Sequence, residues 1–332
     1  MKPKVAVIGT GGTISSLGTG PFDIVDYGAN KNMLQIDGIL DRFPEVHACA
    51  EIIPVPYKAI PSTDVGFADW KELVVKMDEL TADIPDLAGF VITHGTASME
   101  ETAYMLSLVA KTPLPIVITG AQRPASALST DAGMNLANAI RTAATSEARG
   151  KGVMLLLNDE IHAARDVSKT STFRMQTFRS PDFGVLGHAD GDRIVFYRNP
   201  VRRTYPETEF DIRKLDALPR VDIVYAYSGC DGTASRAFIK AGAKGIISAG
   251  FAPGSPGTAE LDVLVGAVKE SDIVVMQSTR SGSGRVFRGK RMRENGILSA
   301  DNLTAQKARL LLSLALTVTK DPSEIERIFL KY

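Results

Sequence analysis

The chain has 332 residues, of which 44% are hydrophobic and 23% charged, the balance of a soluble globular protein and more than one compact core usually holds. Lys+Arg and Asp+Glu are equal at 38 each, so charge gives no support for nucleic-acid binding or membrane adsorption, and no apolar stretch is long enough to span a bilayer. Cys49 and Cys230 form no CxxC pair, and His47, His94, His162 and His188 lack ligand spacing, so neither a disulfide nor a metal site is expected.

Val5–Ile8 is an apolar β-branched run that breaks into Gly9-Thr10-Gly11-Gly12-Thr13-Ile14. Glycines let backbone amides approach a ligand closely. A dinucleotide fingerprint needs its third glycine at position 14, where Ile14 stands. Thr13 is therefore either a nucleophile at the end of the first strand or the cap of a tight strand–helix turn. Leu17–Asn32, rich in Gly and Asp without helical period, reads as a loop long enough to be a lid. The chain enters a strand by Val5, leaving no room for a signal peptide ahead of it, so a cytoplasmic location is expected, or a periplasmic one if a leader has been removed.

Trp70–Leu80 has the helical period, and Gly89–Thr93 is a buried-strand run. That strand delivers His94-Gly95-Thr96-Ala97-Ser98 into a helix over Glu100–Val109. Ser98 with Glu101 fits a capping box, which leaves Thr96 as the functional candidate. Strand Pro115–Thr119 delivers Gly120-Ala121-Gln122-Arg123-Pro124 ahead of a helix over Met134–Ala144. Strand Val153–Leu157 delivers Asn158-Asp159, followed by Arg165-Asp166-Val167-Ser168-Lys169-Thr170. Lys169 could act as a base if buried, although its position alone favours a solvated charge. Around 199–220 the rhythm lapses into Pro200, Pro206, Pro219 and charges, as in a linker. It resumes with strands Ile223–Tyr227, Gly245–Ser248 and Ile273–Gln277. Strand–helix alternation with continuous apolar strands predicts an α/β chain of two domains. The larger, 1–198, has a parallel or mixed sheet flanked by helices; 199–220 links it to a smaller parallel-sheet domain, 221–332.

Gly11-Gly12-Thr13-Ile14, His94-Gly95-Thr96 with Met99-Glu100-Glu101-Thr102-Ala103-Tyr104, Gly120-Ala121-Gln122-Arg123-Pro124, Asn158-Asp159 and Arg165-Asp166-Val167-Ser168-Lys169-Thr170 occur in that order. With Gln306-Lys307-Ala308-Arg309 and Thr319-Lys320-Asp321-Pro322, they resemble the bacterial L-asparaginase/glutaminase family, closest to its type II branch, over nearly the whole chain. The resemblance implies a large N-terminal and a small C-terminal α/β domain in a homotetramer of intimate dimers. It also implies a cofactor-free threonine amidohydrolase acting on a small amide. Thr13 matches the first nucleophile and Tyr27 the loop tyrosine that helps activate it. Thr96 and Lys169 match the second threonine and its lysine. Ser62 matches the serine that binds the substrate α-carboxylate, and the Gly12 and Gly95 turns would hold the oxyanion, at roughly 3 kcal/mol per donor.

Three positions depart from the family pattern. Ala97 replaces the aspartate that holds the substrate α-ammonium, a contact worth about 1.5–3 kcal/mol. The place of a second acid, which the resemblance assigns to the partner subunit, falls near Gly289, among Arg285, Arg288, Lys290, Arg291 and Arg293. Thr63 stands where glutamine is expected, and Ser255 takes the C-terminal domain's asparagine or serine position. Two readings stay open: an ordinary asparaginase in which Asp64 or Glu294 supplies the charge, or a hydrolase for a substrate without a free α-amine, such as an N-acyl-asparagine, diacid monoamide, lactone or imide. Retention of Thr13, Thr96 and Lys169 argues against a binding protein without activity.

Overall fold

The computed structural model describes residues 2–29 and 32–332. The chain divides into two compact units, Met1–Arg213 and Lys214–Tyr332.

The first unit is built on β1 (Lys4–Gly9), β2 (Glu51–Val55), β3 (Leu87–Thr93), β4 (Ile116–Thr119), β5 (Val153–Leu157), β6 (Glu160–Ala163), β9 (Gly187–Ala189) and β10 (Ile194–Phe196). A small ribbon of β7 (Ser168–Lys169) and β8 (Phe178–Arg179) stands apart from them. The eight strands form one mixed sheet in the order β10-β9-β6-β5-β4-β3-β1-β2. Pairing is parallel from β2 to β5 and antiparallel from β5 through β6 and β9 to β10. Val5, Val7, Val91 and Val117 join the core beneath α4 (Ala132–Ala144), and the alternate Ala6, Ile8, Phe90, Ile92, Ile116 and Ile118 are equally buried. Both sheet faces are therefore covered, which is why these strands read as unbroken apolar runs. Three further helices complete the unit: α1 (Ile36–Arg42), α2 (Phe67–Asp83) and α3 (Met99–Val109). Helix α3 is buried almost all round, packed against β5 and α2.

Three features depart from the sequence expectation. Strand β2 carries Pro54 and exposed Glu51, and so lacks the apolar run; as an edge strand it tolerates a residue that cannot donate to a ladder. Asn158 and Asp159 make the turn of the β5–β6 hairpin, with φ of 51° and 63°. Two left-handed residues match the twist of a two-residue hairpin, and Asn and Asp tolerate them. The stretch 199–213, expected as the start of a linker, is packed into the first unit. Tyr205, Phe210 and Ile212 are buried, and the Tyr205 hydroxyl bonds Leu114 O at 2.9 Å. Three apolar anchors outweigh the proline and charge content there.

The expected lid, Leu17–Asn32, includes Asn30 and Lys31, which lie outside the described residues. Its remaining part is folded on itself: the Asp23 carboxylate accepts from the amides of Thr19 and Asp26, which holds its pKa below the usual carboxylate range. It docks on the segment after β4 through Gly18 N to Ser126 Oγ (2.7 Å) and Leu128 N to Pro21 O (2.8 Å).

The second unit has a parallel sheet of β11 (Val221–Tyr225), β12 (Gly245–Gly250), β13 (Val274–Thr279) and β14 (Leu298–Ser299), paired in that order. Its helices are α5 (Thr233–Lys240), α6 (Thr258–Glu270), α7 (Lys290–Glu294), α8 (Ala305–Ala315) and α9 (Pro322–Lys331). Ile246, Val275, Leu261, Leu264 and Ile297 centre its core. Asp321 caps α9 by accepting from the amides of Ser323 and Glu324, with Pro322 in the first turn.

Candidate active site

In the first unit the parallel strands end in turns that meet at their carboxyl edge. Gly12 has a φ of 87°, and a β-carbon there would fall 2.2 Å from Gly95 Cα. A β-carbon on Gly95 would fall 2.7 Å from Ser62 Oγ, and one on Gly120 would fall 3.4 Å from Thr96 Cγ2. Glycine at 12 and 95 is therefore what lets the loops after β1, β2 and β3 touch. This contact brings Thr13, Thr96 and Ser62 into one cluster. The amides of Gly12, Gly95 and Thr96 donate to no acceptor among the described residues.

Each threonine has its own partner. Thr13 Oγ1 and Tyr27 Oη lie 2.9 Å apart, with both residues half-buried. Lys169 Nζ donates to Thr96 Oγ1 at 2.7 Å. Desolvation lowers the Lys169 pKa, opposed by the nearby Glu100 carboxylate. Glu100 is buried in the first turn of α3, where its charge also suits the helix dipole, and it accepts the Lys169 amide at 3.0 Å. Lys169 is thus neither a solvated surface charge nor without an acidic neighbour. Sequence reasoning gives Glu100 no role of its own; its place four residues after Thr96, at the entry of the same helix, is the signal that points to it.

Three supports hold the turns. Asp131, ahead of α4, accepts from the amides of Gln122 (2.9 Å) and Arg123 (3.0 Å) and fixes the loop after β4. Ser98 does not form the expected capping box. Its hydroxyl makes no cap and donates to Ser62 O instead, tying the Ser62 loop to the start of α3. Under the second turn runs a chain of buried groups: Trp70 Nε1 to Thr102 Oγ1 (3.0 Å), Thr102 Oγ1 to His94 Nε2 (3.0 Å), and His94 Nδ1 to Gly95 O (2.8 Å). A carbonyl oxygen only accepts, so Nδ1 carries the proton, Nε2 accepts from Thr102, and Thr102 accepts from the indole. His94 is fully buried, and desolvation pushes its pKa down to about 4, which keeps the ring neutral. The scattered histidines gave no hint of this role.

Of the expected binding residues, Ser62 is buried and its hydroxyl makes no hydrogen bond among the described residues. Thr63 is exposed and bonds Asp64 at 3.3 Å. Ala97 is exposed beside Thr96. Ser255, Gly289 and Glu294 lie on the second unit. Ser255 closes a tight turn after β12 by accepting from Phe251 N, Gly289 precedes α7, and Glu294 pairs with Lys290 at 3.8 Å.

Residues 4–202 match the family model described as Asparaginase, N-terminal, and residues 220–329 match the Glutaminase/Asparaginase C-terminal domain. The chain belongs to the asparaginase family. This asparaginase-family chain is 39% identical to a probable periplasmic L-asparaginase of Haemophilus influenzae, over 98% of this chain and 92% of that protein. It is 36% identical to L-asparaginase 2 of Escherichia coli, over 99% and 93%. The crystal structure of a probable cytoplasmic L-asparaginase from Campylobacter jejuni matches with a TM-score of 0.94 at 38% identity, covering 100% of both chains. The family comprises hydrolases of linear amides. Among the described residues of this member no group of three or more His, Cys, Asp or Glu could hold a metal ion, and no helix is long and apolar enough to cross a membrane.

Proposed function

We propose that this chain hydrolyses the side-chain amide of asparagine or glutamine through a threonyl acyl-enzyme. One observation carries the reading: two threonine hydroxyls sit on touching turns, each within hydrogen-bond reach of a separate proton-handling group, Tyr27 or Lys169. Thr13 Oγ1 attacks the amide carbon, and its proton passes through Tyr27 Oη to the departing nitrogen, which leaves as ammonia. The unpartnered amides of Gly12, Gly95 and Thr96 stand ready for the oxyanion, each worth about 3 kcal/mol where it engages. A water activated by the Thr96–Lys169 pair then attacks the acyl carbon. The C–O bond to Thr13 breaks, and the acid is released with the hydroxyl restored. Ser62, with its free hydroxyl, would hold the substrate carboxylate, aided by Thr63. A homotetramer of intimate dimers belongs to the same reading.

Thr13→Val should cut kcat for asparagine by about 10³-fold or more while the thermal midpoint holds, because the covalent route is lost. Near-wild-type ammonia release by that variant would sink the assignment.

A substrate without a free α-ammonium is the second reading, and Ala97 favours it: its exposed methyl offers no charge beside Thr96. Ala97→Asp should then raise kcat/KM for L-asparagine about tenfold and lower it for N-acetyl-asparagine, since a new carboxylate pairs only with an ammonium. Efficient L-asparagine hydrolysis by the wild type, unimproved by the substitution, would leave the ordinary asparaginase reading alone.

A further inference from the structure

The Trp70–Thr102–His94 chain ends on a carbonyl that belongs to the site. Gly95 C=O and Thr96 N–H are the two ends of one peptide group. Among the described residues the only cis bonds are Tyr205–Pro206 and Ala252–Pro253, so the Gly95–Thr96 peptide is trans and planar. In a trans peptide the N–H points opposite to the C=O. The carbonyl is held by the buried imidazole, so the Thr96 amide points away from it, and that amide has no acceptor among the described residues. Donation to the carbonyl also polarises the peptide and strengthens its N–H as a donor.

We propose that His94 is a positioning residue, which through the Gly95–Thr96 peptide aims and polarises the Thr96 amide toward the negative charge that develops on the substrate oxygen. This rests on the amidohydrolase reading above. The direction of the chain is fixed at every link. The indole N–H can only donate, the Gly95 carbonyl can only accept, and the neutral ring between them has one donor and one acceptor. Packing alone would not require it: an apolar side chain of similar size could fill the His94 site, but it would leave the Gly95 carbonyl without its donor. Thr102 acts one link further back, by holding the tautomer that puts the proton on Nδ1.

Four variants test this. In His94→Asn the amide nitrogen occupies roughly the Nδ1 position and can still donate to Gly95 O; in His94→Leu nothing can. Thr102→Ser keeps the hydroxyl, and Thr102→Ala removes it. His94→Leu should lower kcat for the amide substrate by about 10- to 100-fold with KM changed less than about threefold, because a transition-state donor is misaimed rather than deleted. His94→Asn and Thr102→Ser should stay within about threefold of wild type, and Thr102→Ala should fall in the same direction as His94→Leu. Far-UV circular dichroism reports whether each variant is folded, since Trp70 itself bonds the Thr102 hydroxyl. Should His94→Leu fail to fold, the Thr102 pair decides. Wild-type kcat in a folded His94→Leu or in Thr102→Ala would overturn the proposal, as would equal losses in His94→Asn and His94→Leu accompanied by a raised KM. A wild type that releases no ammonia from asparagine or glutamine would overturn the amidohydrolase reading and this role with it. An active wild type with indifferent variants would overturn the relay alone.

Discussion

At the scale of single residues, the proposed mechanism needs Lys169 as a base. Burial removes water from its ammonium and lowers its pKa, while the Glu100 carboxylate pulls the other way. In the proposed mechanism the neutral amine is the active form, so kcat should rise with pH through the Lys169 pKa. Glu100→Gln removes the negative charge that raises that pKa. It keeps a carbonyl oxygen to accept the Lys169 amide, so the rising limb of the pH–kcat profile should move to lower pH. A limb that moves to higher pH would remove Lys169 from the base role. Lys169→Met should abolish the limb and slow turnover by about 10²-fold or more. These roles were partly legible in the chain. Thr13, Thr96 and Lys169 stood out by their glycine turns and family blocks; Glu100 and His94 lie in the same blocks but carried no legible role, because burial and partner geometry are absent from spacing.

At the scale of elements, the working parts are loops, and each is held by a helix terminus or a neighbouring loop. Asp131 grips two consecutive amides of the loop after β4, and Asn135 Nδ2 bonds both Asp131 and Gly120 O. Hydrogen bonds to a charged acceptor are worth more than neutral ones. Asp131→Ala should therefore cost about 2–3 kcal/mol, read as a lower urea midpoint with an unchanged slope; Asp131→Asn should cost less. A midpoint unmoved by the alanine variant would mean that water replaces the carboxylate at no loss. The helices α2, α3 and α4 and the strands β1, β3, β4 and β5 were readable from apolar periodicity alone. Edge strand β2 and the β5–β6 hairpin were not: Pro54 and the Asn158-Asp159 turn obey rules of position within a sheet, and that position is set by the neighbouring strands. Ser98 and Glu101 fitted a capping box by spacing, yet the Ser98 hydroxyl found a better acceptor in Ser62 O on another loop.

At the scale of the whole molecule, a fully buried neutral histidine couples stability to pH. The His94 pKa is about 4 when folded, against the ordinary histidine value of 6.5. Between those values the unfolded chain binds a proton that the native state refuses, so stability falls as pH drops from 6.5 toward 4, by about 1.4 kcal/mol per unit. Wild type should thus lose about 2 kcal/mol more than His94→Asn between pH 7 and pH 5, measured by urea midpoints at the two values. Equal losses would show that His94 protonates freely in the native state. The proposed homotetramer predicts a sedimentation mass four times that of one chain, unchanged on dilution across the assay range; a monomer mass would remove it from the reading.

Sequence alone determined the α/β class, the two family domains and the order of the glycine turns, because strand burial on both faces and tight turns are written in local composition. It also placed Thr13 and Thr96 at strand ends, where parallel sheets present their ligands. Only the tertiary structure decided which of those ends touch. The contact of Gly12 with Gly95, the seating of Lys169 against Thr96 beside Glu100, and the buried line from Trp70 to Gly95 join residues that lie far apart in the chain, 73 positions in the case of Lys169 and Thr96. Their partners are chosen by the sheet order and by which groups lose water, and neither is a property of any one segment.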